Sequence, residues 1–138
     1  MTDPRPARPA GSDAADHEAV RSANLAFYSA FEASDVEAMS ALWEHSDRAS
    51  CVHPGWPVLR GWTAIARSWS AILSGPDRLQ VILTDERVVV VGEVGWVTVD
   101  ENLLGQRQAT VTAVNVFTRT TDGWRMVAHH GSAVVARR

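Results

Sequence analysis

The stretch DRLQVILTDERVVVVGEVGWVTVDENLL, residues 77–104, decides the fold. Its two halves are rich in β-branched residues and are separated by a turn over Gly92–Gly95, which reads as a hairpin of two long strands. Strand parity sorts the second half. Val97, Val99 and Leu103 share one face with Glu101, whereas Trp96, Thr98, Asp100 and Asn102 share the other. Glu101 is therefore the carboxylate expected inside, and Asp100 the one expected to face water or a partner subunit. Downstream, QATVTAVNVFTRT (108–120) and WRMVAHHGSAVVARR (124–138) repeat the strand composition around a turn at Asp122-Gly123.

Upstream the period changes to that of helices. In AADHEAVRSANLAFYSAFEA (14–33), Val20, Phe27 and Phe31 lie on one stripe, and Asn24 falls on it as well, so an amide is expected to point inward. SDVE (34–37) reads as a capping box, with Ser34 as N-cap and Glu37 three residues later, opening a second helix that buries Val36, Met39, Leu42 and Trp43. ASCVH (49–53) is a short strand with Ala49, Cys51 and His53 on one face. GWTAIARSWSAILSG (61–75) spaces Trp62, Ile65, Trp69, Ile72 and Leu73 as a third helix, stopped by Gly75-Pro76. Helices followed by a strand meander imply an α+β fold and not a βαβ repeat. Long strands must coil and bend at bulges to cover short helices. The expected architecture is three N-terminal helices packed in the concave face of a curved antiparallel (mixed) β-sheet, a cone with one open mouth. Residues 1–12, Pro-rich and polar, are expected to be a disordered tail, and 13–138 a single domain.

The totals narrow the class of function. Thirteen basic against 16 acidic side chains leave a net charge of −3 in 138 residues, with no basic stripe to track a phosphate backbone, so nucleic acid is not an expected partner. The single cysteine, Cys51, forms no internal disulfide and reads as a small buried apolar residue in a reducing compartment. MTDPRPARPAGSD has no apolar segment of the signal-peptide kind, and the longest purely apolar run, VVVV (88–91), is far too short to span a bilayer. A cytoplasmic protein without membrane partners is expected.

The candidate site starts at SCVHPGWPVLRGW (50–62), where an apolar strand ends on His53, breaks at Pro54-Gly55 and returns through Trp56 and Trp62. If Asp122-Gly123 is a two-residue hairpin turn, Thr121 faces Trp124, Phe117 faces Ala128, Asn115 faces His130 and Ala113 faces Ser132. That register puts His130 inside and sends His129 outward with Val116 and Val127. Each candidate also has a structural reading. His53 can satisfy a backbone group at the corner, His130 and Asn115 can form a cross-strand bond, Glu101 can sit at the sheet rim, and Trp56, Trp62 and Trp69 can be core. Convergence favours function, because stranded buried polar groups cost about 1–3 kcal/mol each. His53, His130 and Glu101 then form an acid–base set. Burial keeps the imidazoles neutral, Asn115 and Tyr28 donate hydrogen bonds to a developing oxyanion, and Trp56 and Trp69 line the hollow.

The segments AFYSAFEASDVEAMSALW (26–43), CVHPGW (51–56), GWTAIARSW (61–69), WVTVDEN (96–102) and AVNVFTRTTDGWRMVAHHGS (113–132) resemble the SnoaL-like branch of the nuclear-transport-factor-2-like superfamily, which includes ketosteroid isomerase and scytalone dehydratase. The resemblance covers nearly the whole chain after the tail. It implies a cone-shaped apolar cavity and a homodimer through the outer face of the sheet, while leaving the activity open, since one scaffold hosts many functions. The expected function is cofactor-independent acid–base catalysis, a dehydration, isomerisation or ring closure, on a small apolar or cyclic molecule. The alternative is a non-catalytic ligand-binding or dimerisation domain. Metal binding through His53, His130 and Glu101 has no supporting HExxH or CxxC spacing, and nucleotide and serine-hydrolase motifs are absent from the chain. Nothing reproduces the oxyanion hole of ketosteroid isomerase, in which a tyrosine acts with a protonated acid.

Overall fold

The computed structural model describes residues 12–105 and 108–136, so the tail expected over 1–12 lies outside them except for Ser12. Three helices, α1 (Ser12–Ala33), α2 (Val36–Leu42) and α3 (Trp62–Leu73), pack on six strands, β1 (Ser50–Val52), β2 (Leu59–Arg60), β3 (Gln80–Val91), β4 (Val94–Leu104), β5 (Ala109–Thr120) and β6 (Gly123–Ala133). The sheet order is β2-β1-β6-β5-β4-β3, antiparallel throughout except that β1 runs parallel to β6. This is the expected α+β cone with a mixed sheet. The two-residue strand β2 is an addition, pairing Leu59 with Cys51 after the Pro54-Gly55 break.

The junction between α1 and α2 differs from the capping box expected there. Ser34 adopts φ 53°, its N–H bonds to Phe31 O at 3.1 Å, and the Asp35 N–H bonds to Ala30 O at 3.0 Å, which is a Schellman ending for α1. A residue in that left-handed position closes one helix and cannot open the next. Asp35 is the N-cap instead, accepting from the Ala38 N–H at 3.0 Å. The frame of α2 shifts accordingly: Met39 and Trp43 are buried, Leu42 is half-buried, and Val36, expected inside, is 39% exposed in the first turn.

Helix α1 lies tight against the sheet at Gly95 of β4, where a Cβ would stand 2.7 Å from Val20 Cγ2. Val20, Phe27, Met39, Trp43, Ile65, Val97, Phe117 and Met126 form the fully buried centre. A bulge between Thr84 and Arg87 bends β3, with Asp85 at φ 53°. No helix among the described residues is long and apolar enough to cross a membrane.

Candidate functional site

Strand β6 carries the largest departure from expectation. Thr121 and Asp122 make the turn, Gly123 follows at φ 104°, and Thr120 pairs with Gly123 and Phe117 with Met126. That register alone would still send His130 inward. Val127, however, is an extra residue: Val116 pairs with Ala128 and Asn115 with His129, a bulge that inverts the faces beyond it. His129, not His130, therefore enters the cone. His129 is 4% exposed, whereas His130 lies on the outer face and is exposed. The trio His53, His130 and Glu101 consequently does not meet, which also splits the ligand set of the metal reading. No other group of three His, Cys, Asp or Glu side chains among the described residues could hold a metal ion.

His53 stands where expected, at the end of β1. Parallel pairing of Cys51 with His129 brings the two imidazoles to ring centroids 6.4 Å apart. Pro54 packs on Gly131, where a Cβ would come within 3.2 Å of its ring, so the corner sits directly on β6. Trp69 from α3 and Trp56 from the returning loop set their edges or faces against His53 at 4.8 and 4.9 Å. His53 Nε2 meets Ser68 Oγ at 2.9 Å, and Ser68 donates onward to Ile65 O at 2.7 Å. Ser68 is a site residue beyond those expected from the sequence, and its one signal there is its place next to Trp69 on the buried face of α3. Cys51 is fully buried and burial pushes its thiol up to about 12, in keeping with a packing role.

Glu101 faces inward as strand parity requires and is 8% exposed. Tyr28, expected near the substrate, donates to Glu101 Oε2 at 2.5 Å. Asn115, also expected to touch a ligand, is fully buried behind the site: its Nδ2 donates to Tyr28 Oη at 3.0 Å and to Asn24 Oδ1 at 2.8 Å, and its Oδ1 lies 2.6 Å from His129 Nδ1. The inward amide expected at Asn24 is present and continues to Glu86, Nδ2 to Oε2 at 3.4 Å.

These surroundings set the charges. Burial lowers His53 to about 4 and, with the neighbouring His53 and His130, lowers His129 to about 3, so both rings are neutral at pH 7. Burial raises Glu101 to about 7 against the pull of the Tyr28 hydrogen bond. Burial, and then the Glu101 charge, raise Tyr28 beyond its ordinary value, so it stays a phenol.

His53, His129, Glu101, Tyr28, Trp56 and Trp69 all line one cavity of about 210 Å³, completed by apolar side chains such as Phe27 and Leu103. Trp56 stands 44% exposed, while Trp69 is buried with its indole N–H unpartnered. The doublet His129-His130 was the legible hint, since a strand must aim one of two adjacent residues inward whatever its register.

Comparison with known proteins supplies the family. The model of the SnoaL-like domain matches residues 20–136. Among solved structures, a proposed dehydratase of the NTF2-like family from Streptomyces avermitilis is 39% identical, covering 90% of this chain and 99% of its own, with a TM-score of 0.85. A proposed calcium/calmodulin-dependent protein kinase type II association domain from Thiobacillus denitrificans is 36% identical over 83% of this chain and 94% of its own, with a TM-score of 0.72. The F-box protein SKIP8 of Arabidopsis thaliana is 25% identical over 85% of this chain, which spans half the length of that relative. With the cone, its six-stranded sheet and a family match over most of its length, the chain belongs to the SnoaL-like domains of the NTF2-like superfamily.

Proposed function

We propose that the chain is a cofactor-independent acid–base catalyst that dehydrates a small, uncharged cyclic substrate. The observation that carries this reading is the convergence of Glu101, raised to about 7, with two neutral imidazoles on a single apolar cavity. A proton-transfer group is most useful when its pKa lies near the working pH. Glu101 meets that condition; His53 and His129, at about 4 and 3, do not. The carboxylate takes the proton from the carbon beside a carbonyl, the electron pair passes into an enolate, and the same carboxyl returns the proton to the β-hydroxyl as its C–O bond breaks. Water and a conjugated carbonyl leave. His53 and His129 accept hydrogen bonds that orient the hydroxyl, and Tyr28 holds the carboxylate. A cavity of about 210 Å³ is smaller than the roughly 300–1,000 Å³ of pockets that hold drug-sized ligands, which limits the substrate to about one ring. The Streptomyces avermitilis relative, a proposed dehydratase, supports the reaction type.

Hydrogen–deuterium exchange beside the carbonyl of small hydroxylated cyclic ketones, followed by NMR in D₂O, tests this reading. The protein is expected to catalyse exchange and loss of water, with Glu101→Gln reducing the rate about 10²–10⁴-fold. Ketones that bind in the cavity without exchange would favour the second reading, a non-catalytic ligand-binding or association domain, which the Thiobacillus denitrificans relative supports. The partner proposed for the outer sheet face is a second copy of the chain, and the reduced thiol of Cys51 suits a cytoplasmic setting.

A further inference from the structure

The hydrogen positions around the cavity follow from the chemistry at the ends of its buried network. Glu86, paired with Arg21 at 3.2 Å where α1 meets β3, has only acceptors, so Asn24 turns Nδ2 toward it and Oδ1 inward. Asn115 must therefore present Nδ2 to Asn24, and its second amide hydrogen goes to Tyr28 Oη. With that lone pair occupied, Tyr28 directs its only hydrogen at Glu101 Oε2. Asn115 Oδ1 remains as an acceptor, so His129 carries its proton on Nδ1 and leaves Nε2 as a bare lone pair. Across the cavity Ser68 gives its single hydrogen to Ile65 O, so His53 donates from Nε2 and Nδ1 is unprotonated.

We infer that Asn115 is a positioning residue that commits the hydrogens of Tyr28 and His129 to the protein, so that the cavity takes an uncharged ring bearing at least two hydroxyl donors. The inference rests on the reading of this cavity as the working site. Its polar walls then offer as acceptors the His129 Nε2 lone pair, the ionised Glu101 carboxylate and the His53 Nδ1 lone pair, which the Cys51 thiol approaches to 4.0 Å, and a ligand must bring the hydrogens. Lysine and arginine are missing from the described lining, so an anionic ligand would be desolvated beside Glu101 with no counter-charge.

Three measurements test the inference. In ligand-free protein labelled with ¹⁵N-histidine, His129 is expected to be protonated on Nδ1 and His53 on Nε2 at pH 7. In Asn115→Asp, whose carboxylate cannot donate to Tyr28, the Tyr28 hydrogen leaves Glu101 and the Glu101 midpoint rises. Tyr28→Phe, which removes the same bond, is expected to raise that midpoint too and serves if the Asp variant fails to fold. Calorimetry with resorcinol, m-xylene and benzoate is expected to show resorcinol binding at least tenfold tighter than the other two, a preference lost in Asn115→Asp. His129 protonated on Nε2, an unmoved Glu101 midpoint, a preference unchanged in the Asp variant, or m-xylene or benzoate binding as tightly as resorcinol would overturn the inference. The tautomers are read without ligand, so their failure is distinct from that of the dehydration reading, which the exchange assay decides.

Discussion

His129 and His130 are neighbours with opposite fates, and the contrast gives the sharpest single-residue expectation. His129→Ala is expected to lower exchange activity about tenfold, whereas His130→Ala, on the outer face, is expected to leave it within twofold; equal effects in the same assay would contradict the placement of the two rings. The charge states give a second expectation, read from the midpoint of thermal unfolding against pH. Glu101 is raised from 4.5 to about 7 on folding, so its contribution is fully present below pH 4.5 and is lost as pH rises through 7, about 3 kcal/mol in all. His53 and His129 are lowered from 6.5 to about 4 and 3, so their contributions are present above pH 6.5 and are lost on acidification, about 3–5 kcal/mol each. Below pH 6.5 two imidazoles outweigh one carboxyl, and stability is expected to fall. Glu101→Gln removes the opposing gain, so its fall in acid is expected to be steeper and its stability at pH 8 higher than that of the parent. Superimposable profiles would show that Glu101 is not raised. The inward aim of Glu101 was legible because β4 alternates regularly; that of His129 was not, because one uncounted residue inverts a strand.

Among the elements, β6 shows how local irregularity sets function. Deleting Val127 is expected to leave His129 opposite Asn115 and facing inward, since the pairs on both sides of the bulge keep their register. The cost falls on the bend of the strand and is measured as a lower unfolding midpoint with the His129–Asn115 contact still visible by NMR. Nothing in WRMVAHHGSA distinguishes a regular strand from a bulged one, because Val127 suits either face. The capping box was misplaced by one residue for a comparable reason: Ser34 and Asp35 are both capping residues, and the Schellman ending of α1, set by tertiary packing, chose between them. Helix positions were easier, since Val20, Phe27, Ile65 and Trp69 recur at helical spacing. The contact between α1 and β4 depends on Gly95. Gly95→Ala is expected to destabilise the protein by about 1–3 kcal/mol in denaturant unfolding, because Val20 cannot retreat from a fully buried position.

At the scale of the whole molecule, helices followed by a strand meander were sufficient to read an α+β cone, because the periods 3.6 and 2 change once along the chain. The outer face of that cone carries Ile82, Val89 and Val114, 47, 37 and 39% exposed in the isolated chain. If a second copy covers it, light scattering is expected to return twice the 15.0 kDa chain mass, and Val114→Glu to return a monomer that still binds resorcinol. A monomeric parent would leave that face to some other role. Finally, β6 is the last of the six strands to be synthesised, yet it lies inside the sheet, flanked by β1 on one side and β5 on the other. During vectorial translation the amino-terminal half of the chain must therefore wait with an open gap, and no binding hollow exists on the ribosome until that gap is filled. A nascent polypeptide arrested before Gly123 would hold His53 and Glu101 but have neither the strand nor the imidazole that unites them, and would be a natural client for a chaperone.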